Sequence, residues 1–550
     1  MNRLIFAVVL IVLLAYVAPL NLRPLVDPDE TRYAEIPREM IASGDYVVPR
    51  LAGVPYFEKP VMGYWLNAVS MKIFGENHFA LRFPQALSVI LTALGIFYLA
   101  RRFGNGTEAG LAAALVYLSS VQVFAVGVFN TLDSALSLFL TGSLGAFFMA
   151  WDQRDHEKRF RLFLALAGLF CGLAIHTKGF LALVVPASVI VPFLAWEGRF
   201  KEVFRVPWIP LAVAGLVMLP WGILVHLKEQ EYWYFFFWHE HVRRFMAEDA
   251  QHIEPFYYFI PVLLGGFLPH TVLAPAAVGG FILKGFDTSF KKFLVCWSFF
   301  PFLFFSASSG KLATYILPCF PPLAMLVAGA VRDALDRGND RLFKRGIFVL
   351  MGLVLACVGA ALGFQYRLFG DIGPIYADNS RIVLFLAGMA AYLALLAAAL
   401  RARQPFNRIA LFSLSPFLLY AVAHVLTPDR ALIRNSPTVF IEKHMEQFKG
   451  DPLIVSPSTP IKALCWSLKR DDIFLLDDGG ELRYGFRQKN MKHRQLFLKA
   501  FAKMVEENRG KRRVVLVLDE RRFTMYGDKL PKPTSIIKDD ADGFMMAIYR

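Results

Sequence analysis

The stretch DPDETRYAEIPREM, residues 27–40, sets Asp27, Asp29, Glu30, Glu35 and Glu39 among Arg32 and Arg38, directly after an apolar run. Carboxylates this dense beside guanidiniums can hold an ammonium group, orient an acceptor, or cap a helix. An N-cap at Asp29, with acids favoured in the first turn by the helix dipole, accounts for one acid and leaves the rest. The same loop continues as VPYFEKPVMGYWL, residues 54–66, where Glu58 and Lys59 precede a proline suited to a helix start. On its own that pair reads as a solvated Glu–Lys pair. A second polar segment, YFFFWHEHVRRFMAEDAQH, residues 234–252, places His239, Glu240, His241, Arg243 and Arg244 beside a run of aromatics. Aromatics near a bilayer usually form an interfacial belt. Next to two His, a Glu and two Arg, they also suit the wall of a site for a phosphorylated amphiphile, with arginine pairing the phosphate.

Two further charges interrupt apolar sequence. FNTLDSAL puts Asp133 at the end of one apolar run, and IHTKGF puts Lys178 in a tight turn between two others. A cap for Asp133 and snorkelling for Lys178 compete evenly with function. SSGKLATYI adds Lys311 and Tyr315 at another turn.

The elements that must position these residues are membrane spans. Of 550 residues, 56% are hydrophobic and only 19% charged, and the mean hydropathy is +0.46. A soluble domain carries about a quarter charged residues. The apolar residues cluster in thirteen runs long enough to cross the hydrocarbon: about 4–20, 81–100, 109–129, 133–151, 162–177, 180–196, 207–226, 256–283, 292–308, 312–331, 346–365, 382–400 and 409–427. The first has an Arg and an apolar core like a signal peptide but no small-residue cleavage site, so it reads as a retained span.

With the N-terminus cytoplasmic, the six inner loops hold twenty Lys and Arg, whereas the four short outer loops hold only Lys178, Lys311, Arg367 and Arg381. The net charge of +15 therefore follows the positive-inside rule and does not indicate nucleic acid. Four of five cysteines lie in apolar runs and Cys465 is alone in the tail, which indicates neither a disulfide framework nor a Cys-based zinc site.

Three polar segments then fall outside: 21–80, 227–255 and 428–550. Two short amphipathic helices, DETRYAEIPREMIASG and YWLNAVSMKIFG, each end in Gly and are expected to lie on the membrane surface. In the tail, LIVSPS, IFLLDD and RVVLVLDE read as strands and RQLFLKAFAKMVEE as a helix, giving a small α/β domain. The expected division is a transmembrane catalytic domain, 1–427, whose loops 21–80 and 227–255 form the active site, and an outer α/β domain, 428–550. Every candidate residue falls on the outer side, which points to an outward-facing cavity.

Read in order, DPDETRYAEIPREM, YFEKPVMGYW, TKGFLAL, FFFWHEHVRRF, EDAQH, GKLATYIL and WSLKRDD resemble the bacterial aminoarabinose transferases that modify lipid A. These are the undecaprenyl phosphate-α-4-amino-4-deoxy-L-arabinose arabinosyl transferases. The resemblance runs through essentially the whole chain; single pieces occur more widely among GT-C glycosyltransferases, protein O-mannosyltransferases included. It implies a polytopic α-helical GT-C fold with about thirteen transmembrane helices and a C-terminal periplasmic α/β domain. It implies transfer of aminoarabinose from undecaprenyl phosphate to a lipid A phosphate in the bacterial inner membrane, with resistance to polymyxin and cationic peptides.

Residue by residue, Asp29 and Asp133 match the family's two essential acids, Tyr33 the nearby tyrosine, and Glu58 and Lys59 the EKP pair, with Lys59 near the carrier phosphate. Asp29, Asp133 and Lys59 are thus expected to be catalytic. Tyr33, Tyr56, Glu58, Lys178, Arg244, Lys311 and Tyr315 are expected to bind substrate, and Asp133 to position the neighbours of Asp29. Glu58 and His241 match positions where the family can hold zinc. Two protein ligands are too few for a closed zinc site, so such an ion is structural or adventitious and no cofactor is required. Ala313 stands where Pro is expected and should loosen the turn that places Tyr315, and Asp27 stands where a neutral residue is usual.

The partners expected are the donor lipid, lipid A and membrane lipids, for a monomeric chain. The nearest rival is another GT-C transferase using a polyprenyl-phosphate sugar on a protein or a different glycolipid. A transporter would place charges at mid-bilayer, commonly with repeats, and a scaffolding role would need a charged or aromatic cluster in the tail; neither is present.

Overall fold

The computed structural model describes residues 2–104, 106–243, 253–368, 370, 374–477, 479–538 and 543–550. They cluster into two compact units, one of residues 1–20, 82–374 and 378–426, the other of residues 21–81, 375–377 and 427–550. The second unit joins the first outer loop to the tail.

The first unit is helical. Among the described residues, nine helices are long and apolar enough to cross a membrane, or eleven if each of two bent pairs is one span. Two shorter apolar helices, Phe6–Asn21 and Leu181–Trp196, occupy the remaining apolar runs. The bent pairs are Thr107–Ser119 with Val121–Gly127, at 70°, and Phe259–Gly266 with His270–Ile282, at 95°. Backbone groups freed inside a membrane must find partners. Here the two breaks serve each other: Val121 N–H donates to the Leu268 carbonyl at 2.9 Å, and Ser119 Oγ bonds His270 Nε2 at 2.7 Å.

The helices Asp133–Asp152, Glu157–Lys178 and Trp208–Lys228 pack side by side. Small residues permit the close approach that such helices favour. A Cβ on Gly168 would sit 2.5 Å from the Pro210 carbonyl oxygen, and one on Gly172 2.8 Å from Val217 Cβ. Ser143 Oγ donates to the Ala167 carbonyl at 2.9 Å and ties the first two helices together.

The second unit is α/β. Its six-stranded sheet has the order β5-β4-β3-β6-β8-β7, with β3 Leu453–Ser456, β4 Phe474–Leu476, β5 Gln495–Leu496, β6 Val514–Asp519, β7 Ser535–Lys538 and β8 Phe544–Tyr549. A separate two-residue hairpin pairs β1 Arg50–Leu51 with β2 Val54–Pro55. The strands β3 to β6 are mutually parallel where they pair, and β8 runs antiparallel to β6 and β7. β6 is apolar from Val514 to Leu518, as suits a central strand buried on both faces. The helix expected from Arg494 begins instead at Leu498, because Gln495 and Leu496 pair with β4.

In the same unit the helices Asp29–Ser43 and Met62–Phe74 form as the sequence indicates, and each is closed by a glycine at positive φ, Gly44 at 72° and Gly75 at 83°. The first, however, does not carry its charges on the bilayer surface. Glu30, Glu35, Arg38 and Glu39 are buried, and the helix packs on Ile461–Leu468 of the tail. Partners inside the protein make that burial tolerable: Arg23 meets Glu30 at 2.9 Å, and Arg38 forks onto Glu35 at 2.6 and 2.7 Å.

Candidate active site

In the second unit the charged stretch resolves into two layers. Its inner layer, Glu30, Glu35, Arg38 and Glu39, holds the helix in place. Its outer layer is built around Arg32. Asp29 is the first helical residue, and Pro28 before it offers no side-chain cap. The Asp29 carboxylate instead accepts from Arg32 one turn on. Arg32 also donates to Glu481, from the tail, and to the Tyr56 hydroxyl at 3.2 Å. Tyr56 Oη lies 3.0 Å from Glu58 Oε2 and 3.2 Å from Glu481 Oε2. The other Glu481 oxygen accepts from Lys462, which is only 2% exposed. Lys59 Nζ donates to the Glu58 carbonyl at 2.9 Å. The Tyr33 ring lies under the Arg32 guanidinium at 5.0 Å and beside Tyr64 at 5.9 Å.

The electrostatics follow from this wiring. Burial alone would push Glu481 up, but Arg32 and Lys462 outweigh it and hold the carboxyl at about 2. Burial pushes the Tyr56 phenol well above its usual range, so it stays protonated and can donate. Asp27, where a neutral residue was expected, is buried and raised to about 6; its carboxylate accepts from Thr31 in the first turn of the helix.

In the first unit one acid meets one base. Asp133 opens its helix without serving as a side-chain cap. Lys178 closes the neighbouring helix, and the two meet at 2.5 Å with side chains 11% and 12% exposed. The helix dipoles favour both charges where they stand. Lys178 Nζ also lies 4.5 Å over the Tyr315 ring, a cation–π contact. Capping and snorkelling are thereby replaced by a desolvated pair. Ala313 leaves the turn intact, since residues Ala313–Cys319 form a 3₁₀ helix and Gln122 Nε2 holds the Ala313 carbonyl at 2.5 Å. Lys311 is drawn elsewhere: its buried ammonium donates to the carbonyls of Glu254, at 2.8 Å, and Ser308.

The aromatic segment Tyr234–Arg243 is a π-helix. Phe236 is buried, stacked on Tyr232 at 5.4 Å and 6.3 Å from Phe180, just after Lys178, while Phe237 and Trp238 are exposed. The side chain of His241 and all of Arg244 lie outside the described residues. Among the described residues no three His, Cys, Asp or Glu side chains group as a metal site. Glu58 is engaged by Tyr56, and Glu58 with His241 would supply fewer protein ligands than zinc sites use.

Sequence reading passed over Arg32, Glu481 and Lys462. Arg32 was visible but undistinguished from its charged neighbours. Glu481 follows Gly479 and Gly480, both at positive φ, and a glycine pair before an acid was the one local signal of a loop built to present a side chain.

The fold matches the crystal structure of ArnT from Cupriavidus metallidurans bound to undecaprenyl phosphate, with a TM-score of 0.83 at 23% identity, over 100% of this chain and 98% of that one. The apo structure of the same protein matches at 0.82 and 24%, over 100% of this chain and 97% of that one. The architecture is thus the GT-C fold. Residues 58–224 match the family profile described as dolichyl-phosphate-mannose-protein mannosyltransferase, and residues 433–547 that of the arabinosyl transferase ArnT, C-terminal domain. The undecaprenyl phosphate-alpha-4-amino-4-deoxy-L-arabinose arabinosyl transferase of Shewanella sediminis is 38% identical over 88% of this chain and 87% of its own length. That of Erwinia tasmaniensis is 37% identical over 94% of each. The chain belongs to this family of arabinosyl transferases and is a glycosyltransferase of the GT-C type.

Proposed function

We propose that this chain moves 4-amino-4-deoxy-L-arabinose from undecaprenyl phosphate to a lipid A phosphate at the periplasmic face of the bacterial inner membrane, and so confers resistance to polymyxin and other cationic peptides. The observation that carries this reading is the near-full-length identity to relatives named for that donor. The thirteen-span topology with a cytoplasmic N-terminus, the periplasmic placement of the tail and a monomeric state belong to the same proposal.

The bond from the anomeric carbon to the carrier phosphate breaks and its electron pair leaves with undecaprenyl phosphate. A lipid A phosphate oxygen forms the new bond from the opposite face, inverting the carbon. That oxygen is already anionic near neutral pH, so no strong general base is needed. The charge growing on the leaving phosphate is what must be stabilised, and preorganised cations do this best. Lys59, Lys178 and Arg244 take that role. Asp133 orients Lys178, in keeping with their 2.5 Å contact. Asp29 keeps 42% of its side chain exposed while Arg32 fixes one oxygen, which leaves carboxylate surface for the sugar's ammonium group. Tyr33, Tyr56, Glu58, Lys311 and Tyr315 complete the binding set, with Lys311 acting through the turn it pins.

Lipid A mass spectrometry tests the function. A polymyxin-sensitive strain lacking its own transferase but making the donor would express this chain or its Asp29→Asn variant. An aminoarabinose increment with the native chain alone is expected. No increment, with protein inserted and donor present, would move the function to a GT-C transferase of different sugar or acceptor.

A further inference from the structure

A cavity of about 670 Å³ opens where the helices Asp133–Asp152 and Glu157–Lys178 turn into each other. It lies at the ends of those helices opposite to Asp133 and Lys178. Helices of 20 and 22 residues rise roughly 30 Å, about one hydrocarbon thickness. The cavity is therefore separated from the Asp133–Lys178 pair by the membrane-spanning length of the fold and belongs to the face proposed above as cytoplasmic.

Its wall carries four arginines and three acids over an aromatic floor. Arg154 and Arg199 approach the Trp151 ring at 4.9 and 5.7 Å from its centroid. Arg161, Arg205 and the acids Asp155, Glu157 and Glu202 complete the wall. Arg161 pairs with Glu157, both well exposed, and Arg199 with a half-buried Glu202, each within one turn. Exposed pairs of this kind are weak and can yield to another anion. Arg154 donates to the Trp151 carbonyl at 3.0 Å, and among the described residues neither Arg154 nor Arg205 has a carboxylate within ion-pair reach. Leu162, Phe204 and Trp208, next in sequence to the lining residues, are 57%, 73% and 71% exposed. A phosphate that stands alone has no use for such an apolar rim; a phosphate carrying acyl chains does.

We propose that this cavity binds the headgroup of an anionic phospholipid, its phosphate taken by Arg154 and Arg205 and its chains laid along Leu162, Phe204 and Trp208. Clustered arginine at a cytoplasmic membrane face also serves topology, so the test must separate a built site from bulk charge. Native mass spectrometry of the purified full chain would titrate phosphatidylglycerol, phosphatidylcholine and inorganic phosphate. Phosphatidylglycerol should bind in preference to phosphatidylcholine. Arg154→Gln/Arg205→Gln should weaken it about tenfold, as loss of charge-assisted bonds requires, whereas Arg401→Gln/Arg403→Gln, which removes the same charge from another inner loop, should not. Equal binding of the two lipids, full binding by the first variant, or equal loss in the second would overturn the proposal. Displacement by an equal concentration of inorganic phosphate would overturn the lipid assignment in favour of free phosphate. If the first variant does not fold, phosphatidylglycerol should shield Arg154 and Arg205 of the native chain from phenylglyoxal, and absence of shielding would equally overturn it.

Discussion

The two acids that stand out in the sequence sit in opposite kinds of surroundings. Asp29 belongs to a network in which Arg32, Tyr56, Glu58, Glu481 and Lys462 each touch at least one other member, drawn from both ends of the chain. Asp133 pairs with Lys178, with a tyrosine ring beside it. In a network no single contact fixes the geometry, and much of its function is structural, because a carboxylate like Glu481 neutralises two cations at once, the buried Lys462 and the half-buried Arg32. In an ion pair of two members each charge orients the other, so chemistry and geometry cannot be separated. Losses in the pair should therefore appear in catalysis, and losses in the network first in stability.

The largest effect is expected at the pair. Asp133→Asn and Lys178→Met should each lower transfer by about a hundredfold or more, the scale of removing a preorganised donor. The double variant should be no worse than the poorer single one, since residues acting as a unit are not additive. Rates from purified variants check this, and multiplying losses would break the pair into independent residues.

Next comes the network. Glu481→Gln leaves the buried Lys462 without its carboxylate and Arg32 with Asp29 alone, which should cost about 3 kcal/mol and show as a lowered melting temperature. Lys462→Met with Glu481→Gln should recover part of that loss. A fall in activity at unchanged stability would instead make Glu481 a direct participant.

A smaller effect concerns pH. Burial, against the pull of Arg38, raises Glu35 to about 7, and burial together with Glu35 raises Glu39 well above the usual 4.5. The folded state holds these protons more tightly than the unfolded one. The stability they contribute is whole below about 4.5 and is lost as pH rises through about 7. Glu481, held at about 2, works in the opposite sense and lends stability that fades only as pH falls from its usual 4.5 toward 2. Between about pH 5 and 8 the melting temperature should decline, and Glu39→Gln, which mimics the protonated acid, should flatten the decline. Parallel curves for the two proteins would show that the inner layer does not titrate in this range.

The smallest catalytic effect is expected at Lys311. With its ammonium spent on two carbonyls, Lys311→Met should cost about 1–3 kcal/mol of stability through unsatisfied carbonyls and less than tenfold in rate. A hundredfold loss of rate would place Lys311 beside Lys178 in the chemistry.

Much of this was legible in the sequence. Apolar runs give the helices because membrane length is fixed, and Asp133 and Lys178 stand out because a charge at an apolar boundary is costly. Long-range pairing was not legible. Arg32 and Glu481 are separated by 449 positions, and nothing local in DETRY says that its arginine will meet a carboxylate from the tail. The burial of Glu35 and Glu39 was hidden for the same reason, since charge periodicity cannot tell a solvated face from one covered by a distant helix. In the tail, β6 announced itself by its aliphatic run, whereas β7 is short and mostly exposed and β8 mixes methionine with alanine, so neither carries a strong strand signal.

The most direct test is reconstitution. Purified chain in lipid would be given undecaprenyl phosphate-linked aminoarabinose and lipid A, and both products quantified. The expected result is one undecaprenyl phosphate released for each aminoarabinose joined to a lipid A phosphate, with inversion at the anomeric carbon and near-complete loss in Asp133→Asn. Donor breakdown without lipid A modification, or full transfer by Asp133→Asn, would contradict it.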